Sequence, residues 1–258
     1  MFERRTGRLW CESSLHQHHF HGLEEPMNSI SSLWIGGITL FALLLDSSYI
    51  RNVRPSAAFV FAALVAVSVS SSYYHATLSL FGQLLDELSL VWASIASWIV
   101  WLPGTPTHFK AIHRTGIRVA VLSLGIVYTF ALLLMPSVNA IFLMFSLLWI
   151  FGMVFCELQL FPVPSAYFLA KYGLLVGSLG IGLWVYEQLN CTTLLSLGFP
   201  YFHAVWHVLA GTAIHFGILF CTFCDAYKKK LAPRILWFAG FYPYLCLGKT
   251  GAGQSHSA

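Results

Sequence analysis

The chain has 258 residues and a formal net charge of +4, but only 9% of its residues are charged and 57% are hydrophobic. A soluble domain carries about 25% charged residues, so this composition excludes an ordinary soluble globular protein and predicts an integral membrane protein. We interpret the modest basic excess as a topology signal in the loops, and it gives no reason to expect nucleic-acid binding.

The first predicted element is a polar N-terminal segment, residues 1–28. It contains the strings WCES (10–13) and HQHHFH (16–21) and precedes the first apolar run. We interpret the His-rich tract as a solvated loop, with binding of a soft metal as the alternative.

Seven apolar segments then follow, and each is long enough for a membrane-spanning helix, which needs about 20 residues. They lie near 29–46, 56–75, 87–104, 118–135, 138–156, 166–186 and 201–223. They predict an all-α membrane protein with a seven-transmembrane helix bundle over residues 29–223. The turn MPSVN (135–139) divides one long uncharged run into two of these helices.

The C-terminal tail, residues 224–258, follows the bundle. Its apolar stretch 235–248 is short and contains Pro243, so we expect it to lie at the interface or pack on the bundle instead of spanning.

The distribution of lysine and arginine predicts the orientation. Of the 14 basic residues, 11 fall in the loops that follow helices 1, 3 and 5 or in the C-terminal tail, none falls in the other loops, and three lie in the N-terminal tail. The C-terminus is therefore predicted to be cytoplasmic and the N-terminus luminal or extracellular.

Three histidines and an acid fall at the predicted luminal face. His75 ends the second span, Asp86 precedes the third, and His203 and His207 begin the seventh. Residues four apart share one helical face, so His203 and His207 point the same way. Ser71 lies one turn below His75. An ionisable group inside a membrane is costly and usually functional.

Three histidines supply the ligands of a catalytic zinc site, in which the fourth position stays open for water. Asp86 can accept the proton of that water, and Ser71 can donate a hydrogen bond to an oxyanion. This pattern predicts hydrolysis of an amide or ester bond in a lipid.

Each of these residues also has a structural interpretation. The histidines can hydrogen-bond to neighbouring groups without a metal, and Ser71 can bond to a carbonyl or join two helices. Asp86 can be a charge at a helix N-terminus, and Glu87 is expected to be a solvated or capping charge.

The strings YYHATLSLFGQLLDEL (73–88), YFHAVWH (201–207) and WCES (10–13) resemble those of the alkaline ceramidase family. This family belongs to a superfamily of seven-helix membrane hydrolases that includes the adiponectin receptors and Per1-like proteins. The resemblance implies zinc-dependent hydrolysis of the N-acyl bond of ceramide to sphingosine and a fatty acid. It assigns zinc binding to the three histidines, water activation to Asp86 and oxyanion assistance to Ser71.

The resemblance also implies a calcium site in the N-terminal segment. Trp10, Glu12 and Glu25 match its ligands, whereas Leu9 stands where an aspartate is expected and Ser14 where an asparagine is expected. Because calcium takes six to eight oxygen ligands, we expect a weakened site.

Only two of the six cysteines, Cys11 and Cys191, fall on the predicted luminal side, where disulfides persist. A bond between them would hold the N-terminal segment near the mouth of the site, and the alternative is two unpaired thiols.

The resulting prediction is a ceramidase of the endoplasmic reticulum or Golgi membrane that takes ceramide as its substrate, with no protein partner implied. A receptor that keeps the zinc site, a degraded structural protein and a hydrolase of another lipid amide or ester remain as alternatives.

Overall fold

The structure is a computed structural model that describes residues 10–14, 22–101, 111–135 and 139–248. Within these ranges the chain forms a short 3-10 helix (Cys11–Ser14), α-helices and one β-hairpin. The helices are α1 (Pro26–Leu45), α2 (Ser47–Asn52), α3 (Ala57–Thr77), α4 (Leu80–Val100), α5 (Ala111–Leu134), α6 (Asn139–Leu160), α7 (Pro164–Ser196) and α8 (Phe202–Lys228).

All seven predicted spans fall on long helices, and the short α2 is an additional helix between the first two. Three boundaries differ substantially from prediction. Helix α5 begins at Ala111 instead of near 118. Helix α4 begins at Leu80 instead of near 87, because Ser79 caps it by accepting a hydrogen bond from the Gly82 amide at 3.0 Å. Helix α7 runs ten residues beyond its predicted end, with a non-helical backbone at Asn190.

The described part of the chain has five helices that are long and apolar enough to cross a membrane: α1, α3, α5 over Thr115–Leu134, α7 and α8. Large apolar side chains also point away from the protein interior, such as Phe59 at 72% and Phe130 at 63% exposure. Such surfaces suit contact with lipid, so the chain is a multi-pass membrane protein. The count of seven spans and the orientation of the termini stay predictions.

The helices pack as neighbours in the order α7, α8, α1, α3, α4, α5. The main core is formed chiefly by α1, α3, α7 and α8, and its most buried members include Val60, Phe61, Leu169 and Leu219. A second cluster of Val91, Ile95, Trp98 and Val121 joins α4 to α5. Helices α3 and α8, which carry the three predicted zinc ligands, both pack against α1.

Gly211 allows the close approach of α8 to α1. A Cβ at this position would lie 3.3 Å from the Ile35 Cα and 3.0 Å from the Trp34 ring. The glycine is one turn from His207, so this contact fixes the part of α8 that carries a predicted ligand.

The predicted C-terminal tail is folded where the structure describes it. Residues 224–228 complete α8, and β1 (Pro233–Phe238) pairs antiparallel with β2 (Tyr242–Leu247). The all-α prediction missed this hairpin. Tyr242 and Leu245 are buried, and β2 contacts α1, α2 and α8, so the segment packs on the bundle as expected.

We predict that Gly211→Val destabilises the protein by about 1–3 kcal/mol, because the added methyl groups overpack the contact between α8 and α1. The matched control is Gly217→Val on the same helix, where a Cβ meets nothing within 4 Å. The two thermal midpoints, measured in the same detergent, should differ clearly. Equal midpoints would contradict the tight packing at Gly211.

Candidate active site

The three predicted histidines meet in one buried cluster. One ring nitrogen of each of His75, His203 and His207 lies within 4.8 Å of the others. Their ring centroids are 4.5 to 5.1 Å apart, and their exposures are 1%, 4% and 5%. Within the described ranges, this is the group of histidine, cysteine and acidic side chains that could hold a metal ion.

Local structure explains how the two helices present these side chains. His75 lies in the last turn of α3, where Leu78 takes a left-handed conformation with φ 45° and ends the helix. His203 and His207 occupy the first two turns of α8 and share one face. We call this end of the bundle, where α3 finishes and α8 begins, the histidine end.

His75 is oriented by a buried carboxylate. Its Nδ1 lies 2.6 Å from Oε2 of Glu25, a residue with 0% exposure just before α1. The Glu25 amide also donates to the His75 carbonyl at 3.1 Å. Because a carboxylate accepts, Nδ1 donates the proton, and the Nε2 lone pair of His75 is left for a metal. A carboxylate behind a ligating histidine is a common outer-shell arrangement.

His207 reaches the same tautomer through a serine. Its Nδ1 lies 2.9 Å from the Ser31 hydroxyl oxygen and 3.3 Å from that of Ser32. Both hydroxyls also lie within donating distance of the Asn28 carbonyl, at 3.1 and 2.8 Å. If each serine gives its one proton to that carbonyl, His207 must donate from Nδ1, and Nε2 is again the free ligand atom.

Trp10 covers the third histidine. Its indole stacks on the His203 ring with centroids 3.5 Å apart and planes at 11°. Trp10 is 6% exposed, and its amide donates to Glu25 Oε1 at 3.3 Å. The N-terminal segment thus forms one wall of the cluster.

Ser71 and Asp86 are joined to each other beside the cluster. Ser71 is 4% exposed, it hydrogen-bonds to the Asp86 carboxylate, and it lies 3.2 Å from the Ser32 hydroxyl. Asp86 lies in the second turn of α4 and not at its entrance. We expected Glu87 to be a solvated or capping charge, but it is buried, with 3% exposure. The Gln83 side chain donates to it at 3.0 Å.

The donor set fits a zinc ion. Three neutral imidazoles in a buried pocket, two of them with Nδ1 already engaged, present nitrogen ligands of the kind that zinc prefers. The orientation of His75 and His207 therefore needs no rearrangement before a metal binds.

Comparison with known proteins gives the family. A model of the ceramidase family matches residues 6–246. The chain is 30% identical to an alkaline ceramidase of Caenorhabditis briggsae, over 94% of this chain and 90% of that protein. It is 29% identical to one of Caenorhabditis elegans over 97% and 92% of the two chains, and 25% identical to human alkaline ceramidase 1 over 92% of each.

The chain belongs to the ceramidase family. The resemblance noted in the sequence is therefore confirmed, as is the prediction of a hydrolase. The identity of the metal and the roles of individual residues stay predictions for this family member.

The predicted calcium ligands of this ceramidase family member lie together, but their oxygens are engaged within the protein. Glu12 accepts from the amides of Met27 and Asn28 at 2.6 and 2.9 Å, and the Trp10 carbonyl accepts from the Ser13 hydroxyl at 2.6 Å. Burial raises the pKa of Glu12 and raises the pKa of Glu25 to about 7.

Ser14 is exposed, and Leu9 and the His-rich tract 16–21 lie outside the described residues. The calcium site stays a prediction.

The predicted disulfide is confirmed, since the structure joins Cys11 to Cys191 with Cα atoms 5.5 Å apart. It ties the 3-10 helix beside Trp10 to α7.

Glu187 was missed in the sequence, although a glutamate directly after a predicted span was a usable signal. It is 1% exposed and accepts from the amides of Cys11 at 3.1 Å and His203 at 2.6 Å. One carboxylate therefore holds both the N-terminal segment and the first turn of α8.

We predict that Glu187→Gln lowers stability by about 1.5–3 kcal/mol, because an amide nitrogen cannot accept one of the two buried N–H bonds and a bond to a charged group is lost. Retention of bound metal during dialysis against a chelator should fall in parallel, since His203 is in that turn. The control is Gln188→Ala at the exposed neighbouring position. Unchanged midpoint and metal retention would contradict this role.

Proposed function

We propose that this protein is a zinc-dependent alkaline ceramidase, which hydrolyses the N-acyl amide bond of ceramide to sphingosine and a free fatty acid within the membrane. The observation that carries the proposal is the buried group of His75, His203 and His207 at one end of an apolar helix bundle. The names of the relatives support the substrate.

The protein groups have distinct parts in the proposed reaction. Zinc, when bound by the three histidines, supplies a Lewis acid that activates water and polarises the amide carbonyl. Asp86 takes a proton from the water that attacks the carbonyl carbon. It then delivers a proton to the sphingosine nitrogen as the C–N bond breaks.

Ser71 has a part that changes during the reaction. In the resting arrangement its hydroxyl is hydrogen-bonded to the Asp86 carboxylate. Once Asp86 has taken up a proton, it accepts this hydrogen bond more weakly. The Ser71 hydroxyl is then released to donate to the oxyanion of the attacked carbonyl.

The membrane setting accounts for the substrate class. A lipid amide must reach a site that is closed to bulk water, and the exposed apolar faces of the helices offer a route between them from the bilayer. We place the tails of ceramide in the apolar bundle and its amide at the histidines, on the luminal side of the endoplasmic reticulum or Golgi membrane.

Metal dependence is tested with purified protein, ceramide and mass spectrometry of both products. We expect about one zinc per chain, and we expect His203→Ala to lose both the zinc and the activity, because two histidines cannot complete the site. The control is His215→Gln, a buried histidine of the same helix that bonds to the Pro243 carbonyl. It should keep zinc and activity.

The outcomes separate the alternatives. A metal-loaded protein that releases neither product from ceramide would favour a receptor or another lipid hydrolase, and a panel of lipid amides and esters distinguishes these two. Full activity in a preparation without any transition metal would overturn the zinc mechanism.

We predict a cytoplasmic C-terminus from the loop asymmetry. A C-terminal tag should become accessible to antibody after selective permeabilisation of the plasma membrane. A tag inside the N-terminal segment should need full permeabilisation. The reverse pattern would contradict the proposed orientation and would place the histidine end in the cytosol.

We also predict that calcium stimulates this protein less than the family resemblance implies. Glu12 and Glu25 keep two carboxylates, but Leu9 offers no side-chain oxygen and Ser14 only a neutral one. Since ligand charge sets calcium affinity, Leu9→Asp with Ser14→Asn should increase stimulation. Activity is measured against free calcium, buffered with a chelator that spares zinc. Tight, saturating calcium dependence of the unmodified protein would contradict the prediction.

A further inference from the structure

The C-terminal hairpin has an apolar tip that the rest of the described protein covers only in part, through ring contacts of Phe238 with Phe41 and of Trp237 with Phe168. The tip is formed by four large side chains with exposures between 39% and 74%: Leu236, Trp237, Phe238 and Phe241. A strand with such a surface would be an aggregation site in water.

The hairpin folds back along the bundle towards its middle. The Tyr242 hydroxyl donates to the Ile38 carbonyl at 3.1 Å, and Ile38 lies seven residues before the end of α1 at Leu45. At 1.5 Å per residue this is about 10 Å from the helix end. Tyr242 also packs on His215, with ring centroids 4.4 Å apart, and His215 lies at the midpoint of α8.

Two backbone groups of β2 are satisfied by side chains of the bundle, without water. The His215 Nε2 donates to the Pro243 carbonyl at 2.9 Å, and the Leu245 amide donates to Asp46 Oδ1 at 2.9 Å. Pro243 itself has no N–H to satisfy. Backbone that is not helical can lie at membrane depth only when its polar groups are satisfied within the protein, because unsatisfied polar groups are costly there.

The base of the hairpin has the opposite character. Lys230 and Arg234 are exposed there, just after the end of α8. Lysine and arginine side chains favour the level of the lipid head groups, which places this base there. The segment therefore changes from basic to aromatic along its length, as the bilayer changes from anionic head groups to hydrocarbon.

We propose that the hairpin dips into the bilayer at the end of the bundle opposite the histidines. The aromatic tip contacts acyl chains, and Lys230 and Arg234 contact anionic head groups. This surface therefore binds the lipid of one leaflet, and the hairpin itself does not span the membrane.

The test uses the full chain in nanodiscs of phosphatidylcholine with phosphatidylserine. The four cysteines outside the disulfide are changed to alanine, and a fluorescent label is attached to Phe241→Cys or, as a control at the base, to Lys230→Cys. Phe241 is 74% exposed, so its replacement should not disturb packing. We expect the label at 241 to be quenched by lipids brominated on their acyl chains and not by aqueous iodide, and the label at 230 to show the reverse.

Two results would overturn the proposal. Quenching of the label at 241 by iodide would mean that the tip faces water, and quenching by neither agent would mean that protein, such as a second copy, covers it. A second measurement leaves the cysteines unchanged: Trp237→Phe should reduce the quenching of tryptophan emission by brominated lipids. No reduction would count against lipid contact even if the cysteine-free variant fails to fold.

Discussion

The buried carboxylate of Glu25 is the interaction on which the histidine end depends. It stands between the N-terminal segment and the bundle, and it accepts hydrogen bonds from the Trp10 amide, the Asn28 side chain and the His75 Nδ1. A buried ionised carboxylate is stable only when such donors surround it. Removing Glu25 would therefore release the wall formed by Trp10 and the orientation of His75 at the same time.

Glu187 and the disulfide hold the N-terminal segment against the bundle in the same way on the other side of the cluster. The bond from Cys11 to Cys191 sets the position of the 3-10 helix, and Glu187 ties that helix to the first turn of α8. Together they bring Trp10 over His203. The polar N-terminal segment is thus held as part of the site. It encloses the histidines and keeps bulk water away from a reaction in which one water molecule must attack the amide carbon.

The sequence predicted the parts of this arrangement that follow from local spacing. His203 and His207 share a face because they are four residues apart, and α3 and α8 were expected to bring His75 to the same end. The contact of Ser31 with His207 and the two partners of Glu187 could not be predicted, because each depends on a contact between distant segments that spacing does not encode. The hairpin was missed for a related reason: its strands are defined by contacts with His215 and Asp46, and an isolated hairpin has little stability of its own.

The charges are divided between the two ends of the bundle in a way that favours bound cations. Within the described ranges, the basic side chains lie towards the end opposite the histidines, where Arg54 bonds to Asp225 and Lys228 bonds to Glu157 at 2.5 Å. At the histidine end, three buried acids accept from backbone amides instead of pairing with a lysine or arginine of the described ranges: Glu12, Glu25 and Glu187.

Burial already opposes the charged forms of Glu12 and Glu25, whose pKa values are raised. Amide and hydroxyl donors lower this cost but do not neutralise the charge. Neutralisation must come from the arginines of the N-terminal tail, from protons or from metal ions. The same imbalance favours a metal ion among the histidines, so the electrostatics of this end point towards a metal independently of the family resemblance.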